Sequence, residues 1–148
     1  MGNLSVTTAA IITFSEKLED KSTAFYSALA ERWPEQAEVF RAFAAEGDKY
    51  QTWIVRTYQE TISDALEASY SFEGLNLADY EVAAAPPEEA TLADAVQAAL
   101  ALEEKACAFY REVAERSESL LATIPMAFKR VARKREKRRK KLAALLAD

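Results

Sequence analysis

The 148-residue sequence contains no histidine and a single cysteine, Cys107. Without imidazole, the chain has no Ser-His or Cys-His pair for nucleophilic catalysis, and its three scattered glycines form no phosphate-binding loop. One thiol excludes an internal disulfide and a four-thiolate metal site. Cys107 stands between two alanines, and we interpret it as a buried, inert side chain.

Glycine and proline are scarce, with three and four residues, whereas half of the chain is hydrophobic and alanine is abundant. This composition predicts an all-α protein. The chain also lacks a long apolar run, and its first residues, MGNLSVTTAAIITFSEKLEDK, carry no basic cluster. We therefore expect no signal peptide, no membrane span and a cytoplasmic location.

Apolar spacing and turn residues predict one domain over residues 1–148 with four helices, at about 7–32, 34–66, 91–118 and 125–147. Trp33-Pro34 marks the first turn, and Thr91 is a predicted N-cap with Asp94 three residues later. The connection 68–90 contains Gly74 and Pro86-Pro87, and when extended it could span roughly 75 Å. This length predicts two antiparallel helical hairpins joined by a long crossover.

Helices 1 and 3 contain an internal repeat. The segment LEDKSTAFYSALAER, residues 18–32, aligns with LEEKACAFYREVAER, residues 102–116, and nine of fifteen positions are identical. Glu19 and Glu103 are equivalent, as are Tyr26 and Tyr110. A spacing of seven residues places each Glu and its Tyr on one helix face. Periodicity alone leaves open whether the glutamates face the core or the surface.

Charge is unevenly distributed along the chain. From Lys129 to Lys141, ten of thirteen residues are basic and Glu136 is the only acid. The remaining residues include nine basic and 23 acidic side chains, a net charge of −14, against −5 for the whole chain. The protein is therefore an acidic body with one basic helix, which is not the composition of a typical nucleic-acid binder.

Apolar residues of helix 4 recur in steps of three and four, and two arginines fall in the same row. The row comprises Ile124, Phe128, Val131, Arg135, Arg138, Leu142 and Leu145. This spacing predicts that Arg135 and Arg138 point into the core. Two alternatives remain open: the arginines reach solvent along the core edge, or a neighbouring register places Glu46, Lys49, Lys134 and Lys137 inside.

The two Glu-x6-Tyr helices, the AFY triplets and the long crossover resemble the rubrerythrin branch of the ferritin-like superfamily, over nearly the whole chain. The resemblance implies a ferritin-like four-helix bundle whose diiron site handles peroxide or oxygen. Helices 1 and 3 of that family each offer a Glu, which Glu19 and Glu103 match, and helices 2 and 4 each offer Glu-x-x-His. The rubredoxin-like module with paired CxxC motifs is missing here.

The second ligand pair implied by the resemblance is absent. Gly47 and Tyr50 occupy the Glu and His positions of the helix 2 motif, in the segment FRAFAAEGDKYQTWI. Arg135 and Arg138 occupy the same two positions of the helix 4 motif, in the segment FKRVARKREKRRKKL. We therefore expect a degenerate site without metal or other cofactor, in which the arginines pair with the glutamates. Gly47 would leave room for an arginine, and three hydroxyls would donate to carboxylates: those of Tyr26, Tyr50 and Tyr110.

The function expected from this site is that of a non-catalytic structural, interaction or regulatory protein, forming a homodimer because the family usually pairs its bundles. One alternative is a metal-binding or oxidoreductase site built from Glu19 and Glu103 with nearby acids: Glu16, Asp20, Glu46 and Glu104. Another is binding of nucleic acid or an anionic surface through the outward basic residues of helix 4: Arg130, Arg133, Lys134, Lys137, Lys140 and Lys141. We instead expect those basic residues to form a solvated face paired with the acidic body, because no aromatic residues are interleaved with them and the overall charge is negative. The sequence identifies no small-molecule ligand.

Overall fold

The computed structural model describes residues 8–61, 75–117 and 123–147, and within these ranges the chain is helical without strands. The described residues form four long helices: α1 Thr8–Arg32, α2 Ala37–Thr61, α3 Leu92–Arg116 and α4 Thr123–Ala147. The prediction of an all-α chain with four long helices is therefore confirmed. Among the described helices, none combines the length and apolar character needed to cross a membrane.

The predicted helix boundaries need two corrections. Residues Pro34–Gln36 form a separate 3₁₀ turn, and α2 begins only at Ala37. The residue before a proline avoids helical backbone, and Trp33 is accordingly non-helical, with φ of −127° and ψ of 80°. Helix α4 begins at Thr123, before Pro125, because proline is tolerated in the first helical turn.

Several predicted boundaries lie outside the described residues: position 7, the end of helix 2 at 62–66, the crossover part 68–74 and position 118.

Helices α1 and α2 form an antiparallel hairpin. The Thr23 hydroxyl donates to the Ala44 carbonyl at 3.2 Å, and the Gln51 side chain donates to Asp20 at 2.9 Å. Later residues of α2 therefore meet earlier residues of α1. Helices α3 and α4 pair in the same sense, through Arg111 with Glu136 and Glu104 with Arg139.

Helices α1 and α3, which bring the two hairpins together, also run antiparallel. Tyr26 of α1 contacts Glu103 of α3, and Tyr110 of α3 contacts Glu19 of α1. Because α1 runs antiparallel to both α2 and α3, helices α2 and α3 run parallel. The end of α2 and the start of α3 therefore lie at opposite ends of the bundle, and their connection crosses its length.

The described part of this connection, residues 75–91, follows the groove between α1 and α3. The Tyr80 ring lies 5.9 Å from the Phe109 ring, and Glu81 forms an ion pair with Lys21 at 2.8 Å. Further along, Arg32 donates to the carbonyl of Pro87 at 2.9 Å. The segment thus packs along α1 from Lys21 to its last residue, Arg32.

The core consists of two apolar clusters separated along every helix by a polar layer. The first cluster is centred on Phe109, Tyr110 and Phe128, and the second on Phe25, Phe40 and Leu142. All eight apolar positions that the sequence places inside α1 and α2 are buried: Ile11, Leu18, Phe25, Leu29, Phe40, Phe43, Tyr50 and Ile54. Because each helix has its polar residues between its two apolar stretches, they meet at the centre of the bundle.

Thr91→Ala should lower the free energy of unfolding by ~0.5–2 kcal/mol, because Thr91 is the N-cap of α3. Its hydroxyl accepts from Asp94 N at 3.1 Å, and the Asp94 carboxylate accepts from Thr91 N at 3.4 Å. The matched control is Thr52→Ala, since Thr52 is exposed within α2 and alanine has the higher helix propensity. Urea denaturation measures both, and equal losses would contradict the cap.

Candidate functional site

Four charged side chains are buried at the centre of the bundle. Glu19 on α1 and Glu103 on α3 are 1% and 0% exposed, and Arg135 and Arg138 on α4 are 0% and 2% exposed. We call these four residues the buried charge cluster. These low exposures imply that the four charges are paired with one another, because charged side chains are almost never fully buried otherwise.

Arg135 lies between the two glutamates and donates to all four of their carboxylate oxygens. Its Nη1 is 2.7 and 2.8 Å from Oε1 and Oε2 of Glu103. Its Nη2 is 2.6 Å from Oε1 of Glu19, and its Nε is 3.3 Å from Oε2. The alternative in which Arg135 and Arg138 reach solvent is therefore wrong, because the carboxylates hold both guanidinium groups inside the bundle.

Arg138 connects the cluster to the surface. Its Nη1 donates to Glu103 Oε2 at 3.3 Å, and its Nη2 donates to Glu46 Oε1 at 2.7 Å and to the Phe43 carbonyl at 3.3 Å. The Glu46 side chain is 40% exposed, so this ion pair is the exposed edge of an otherwise buried network. The Nε of Arg138 is buried without a hydrogen-bond partner among the described residues.

Two tyrosines complete the cluster in a reciprocal way. The Tyr26 hydroxyl donates to Glu103 at 2.5 Å, and the Tyr110 hydroxyl donates to Glu19 at 2.6 Å. Each helix of the repeat therefore supplies a hydroxyl to the glutamate of the other. Hydrogen bonds to carboxylates are of the stronger, charge-assisted kind, so the two hydroxyls help to satisfy the buried glutamates.

Tyr50 has a different role from the one that the sequence predicts. Its hydroxyl accepts from Arg138 Nη2 at 3.4 Å instead of donating to a carboxylate. Its ring lies 5.5 Å from the guanidinium carbons of both Arg135 and Arg138. The ring face thus meets two cations, a favourable cation–π arrangement.

Gly47 makes room for α1 and not directly for an arginine. A Cβ atom placed on Gly47 would collide with the Thr23 hydroxyl oxygen and would lie 3.5 Å from the Glu19 carbonyl oxygen. Its three nearest neighbours belong to Thr23 and Glu19. The expectation that an arginine fills this space is corrected accordingly: Gly47 allows α1 to approach α2 beside the cluster.

The neighbouring register predicted as an alternative is wrong. Lys49, Lys134 and Lys137 are exposed, and of that set only Glu46 reaches the cluster. The other acids considered near the site are not gathered there, since Asp20 and Glu104 are exposed and Asp20 accepts from Gln51 instead. Glu16 is half-buried.

The cluster is electrostatically balanced, with two carboxylates and two guanidinium groups. Burial alone would raise the pKa of Glu103, but Arg135, Arg138 and the Tyr26 hydroxyl outweigh it and leave the pKa lowered. Burial lowers the pKa of Arg135, and the attraction of Glu103 and Glu19 reverses this and raises it. Glu103 and Arg135 are therefore both charged at neutral pH.

The site does not fit a pair of divalent cations. A metal ion needs free carboxylate oxygens, and the guanidinium of Arg135 contacts all four that Glu19 and Glu103 provide. Among the described residues, no group of three or more Cys, Asp or Glu side chains is placed to hold a metal ion. A fixed positive charge also occupies the position between the carboxylates.

Cys107 and the basic residues of α4 lie where the sequence places them. Cys107 is 1% exposed, and burial raises the pKa of its thiol to about 11, so the thiol is protonated and unreactive at neutral pH. The basic residues predicted to face outward are exposed: Arg130, Arg133, Lys134, Lys137, Lys140 and Lys141.

Sequence reasoning missed two contacts, Glu46 with Arg138 and the Arg130 guanidinium over the Trp53 ring at 3.6 Å. Both contacts join α2 to α4. The contact of Glu46 with Arg138 had one signal in the sequence, the position of Glu46 one helical turn before Tyr50, whereas the contact of Arg130 with Trp53 had none.

No protein-family model matches this chain, and neither a curated protein nor a solved structure matches it. The geometry of the buried charge cluster is therefore the basis for any functional conclusion.

Arg135→Met should lower the free energy of unfolding by ~3–5 kcal/mol, because it leaves two buried carboxylates without their main partner. The matched control is Arg139→Met on the same helix, whose guanidinium is 34% exposed and pairs with Glu136. That exposed pair should contribute only ~0–1 kcal/mol. Thermal and urea denaturation measure both variants, and similar losses would show that Arg135 is not in a buried ion pair.

Replacing the whole polar layer should recover much of that loss, since no buried charge is then left unpaired. The variant combines Glu19→Leu, Glu103→Leu, Arg135→Met and Arg138→Met. Tyr26→Phe and Tyr110→Phe are added because both hydroxyls would lose their acceptors. A combined variant less stable than Arg135→Met would mean that the cluster makes a large net contribution to stability.

Alkaline pH should destabilise the protein through the buried tyrosines. Burial raises the pKa of Tyr26 and Tyr110 well above 10.0, and it raises the pKa of Tyr50 to about 12. Above pH 10 the unfolded chain loses these protons while the folded chain keeps them, so the free energy of unfolding falls as pH rises. Denaturation measured from about pH 8 to about pH 11, a range that includes the ordinary pKa of tyrosine, gives the slope of the free energy of unfolding against pH. Tyr26→Phe with Tyr110→Phe should flatten it, and an unchanged slope would contradict this assignment.

Proposed function

We propose that this chain is a ferritin-like protein of the rubrerythrin type in which an arginine–glutamate cluster has replaced the diiron centre. We propose further that it acts without redox catalysis, as a structural, interaction or regulatory protein. The observation that carries the proposal is the position of Arg135, which donates to all four carboxylate oxygens of Glu19 and Glu103 at the centre of the bundle.

The helix arrangement supports this assignment. Glu19 and Glu103 come from equivalent positions of repeated helices, face each other across the bundle and have the separation that one planar cation bridges. Positions 47, 50, 135 and 138 correspond to the two Glu-x-x-His motifs of the family. All four adjoin the polar layer that contains Glu19 and Glu103. A metal site with its ligands exchanged would have this composition.

The charge of the cluster supports a non-catalytic role. Arginine remains protonated in proteins, so Arg135 cannot be neutralised to admit a cation. A metal could enter only if the guanidinium left its carboxylates and moved a buried charge elsewhere, which is costly. The acids and bases that remain are held in ion pairs, and the pKa of Glu103 is lowered, which is the opposite of what general acid–base catalysis at neutral pH requires.

The presence of ions where an apolar layer could serve supports descent from a charged site. A buried ion pair adds little net stability compared with apolar residues of the same volume. Two arginines opposite two glutamates preserve the neutral balance that two metals and their carboxylate ligands would have had.

We also propose a homodimer, which light scattering of the purified protein would test.

The purified protein should contain no stoichiometric iron or manganese. Elemental analysis after incubation with Fe(II) or Mn(II) and a chelator wash measures this directly. Near-stoichiometric metal that survives the wash would overturn the proposal.

Restoring the family ligands should restore metal binding. The variant carries Gly47→Glu, Tyr50→His, Arg135→Glu and Arg138→His, with Thr23→Ala because Thr23 occupies the space that a side chain at position 47 needs. Co(II) should then give the visible absorption bands of a protein-bound ion. The matched control retains Arg135, and its guanidinium should prevent binding. No Co(II) binding by the fully restored and folded variant would contradict the proposed correspondence of positions.

A further inference from the structure

A groove lies on the outer surface between α2 and the first half of α4. Its cavity volume is about 460 Å³, and it is lined by Trp53 and Arg56 from α2 and by Met126, Arg130 and Arg133 from α4. We call it the Trp53 groove. A volume of this size is in the range of small-molecule sites. None of these five residues belongs to the buried charge cluster, so the groove is independent of the function proposed above.

Three arginines line the groove. Within the ranges that the structure describes, Arg56, Arg130 and Arg133 form no ion pair, whereas Arg139 on the same helix pairs with Glu136. All three are exposed. Unpaired cations in one groove repel each other, in a chain whose net charge is −5. The groove therefore presents a local positive potential that attracts an anion.

Arg130 is held in an orientation suited to an anion. Its guanidinium carbon lies 3.6 Å from the centre of the Trp53 ring. A stacked guanidinium keeps its N–H donors at its edge, where they can contact two oxygens of one ligand. Arg133 follows three residues later, so its side chain projects from the same face of α4. Arg56 approaches from the opposite side of the groove.

The remaining wall of the groove is apolar. Met126 is 63% exposed and is the exposed large hydrophobic side chain among the described residues. It lies in the groove with Trp53 and Ala127. A ligand that matches both walls has an anionic group at one end and an apolar or aromatic part at the other.

We propose that the Trp53 groove binds a small organic phosphate. Its phosphoryl group would contact Arg56, Arg130 and Arg133, and its apolar or aromatic part would lie against Trp53 and Met126. A phosphoryl group fits better than a carboxylate, because it brings a larger negative charge and three strong acceptor oxygens to three guanidinium groups. A free organic phosphate and a phospholipid headgroup share this chemistry.

Binding can be followed through Trp53, because the chain has two tryptophans and Trp33→Phe leaves Trp53 as the only one. Phenyl phosphate should change the Trp53 fluorescence saturably, inorganic phosphate should bind more weakly, and phenol should not bind. Arg130→Gln with Arg133→Gln should weaken phenyl phosphate binding at least about tenfold, since two charge-assisted contacts are lost. Arg56→Gln should weaken it independently from the α2 side. No saturable change with phenyl phosphate would overturn the proposal.

The matched control is Lys137→Gln with Lys141→Gln, which removes the same charge from the same helix outside the groove. It should change the affinity by less than about twofold, because exposed charges at a distance are screened by salt. Equal loss in both double variants, or affinity that rises with the length of an oligothymidylate, would overturn the proposal in favour of a general polyanion-binding face.

Co-sedimentation with phosphatidate vesicles that depends on Arg130 and Arg133 would identify the lipid headgroup as the source. Phenyl phosphate binding without co-sedimentation would identify a free ligand.

Discussion

A single guanidinium group held between two carboxylates links the two helical hairpins at the centre of the bundle. Arg135 and Glu103 belong to the hairpin of α3 and α4, whereas Glu19 belongs to the hairpin of α1 and α2, so Arg135 provides an ionic link between the hairpins. A buried arginine has five N–H donors and cannot lose its charge, and few arrangements of the helices satisfy it. Sliding one hairpin by a helical turn would separate Arg135 from Glu19. We infer that this requirement defines the register of the bundle more sharply than apolar packing could.

Only part of the cluster could be predicted from periodicity within single helices. The step of three and four from Phe128 to Leu142 places Arg135 and Arg138 on the buried row, and the repeat makes Glu19 and Glu103 equivalent. Periodicity leaves the direction of the glutamates open, and only the resemblance predicts that they meet the arginines. Thr91 and Asp94 likewise form the predicted cap, since capping depends only on neighbouring residues.

What could not be predicted depends on how separate helices approach each other. Gly47 faces Thr23 because of the distance between α1 and α2, which no spacing within either helix determines. The exchange of hydroxyls between Tyr26 and Tyr110, and the stacking of Arg130 on Trp53, depend on the rotation of each helix about its axis. The early start of α4 had a local cause, because a proline marks the first turn of a helix but not its first residue.

The most direct measurement of the central claim is a crystal structure of the protein grown with excess Mn(II) or Fe(II), with anomalous diffraction collected at the metal absorption edge. The account predicts planar guanidinium density between Glu19 and Glu103, with each carboxylate in contact with Arg135 and no anomalous peak between them. An anomalous peak between the two carboxylates, with Arg135 displaced from the bundle centre, would contradict it.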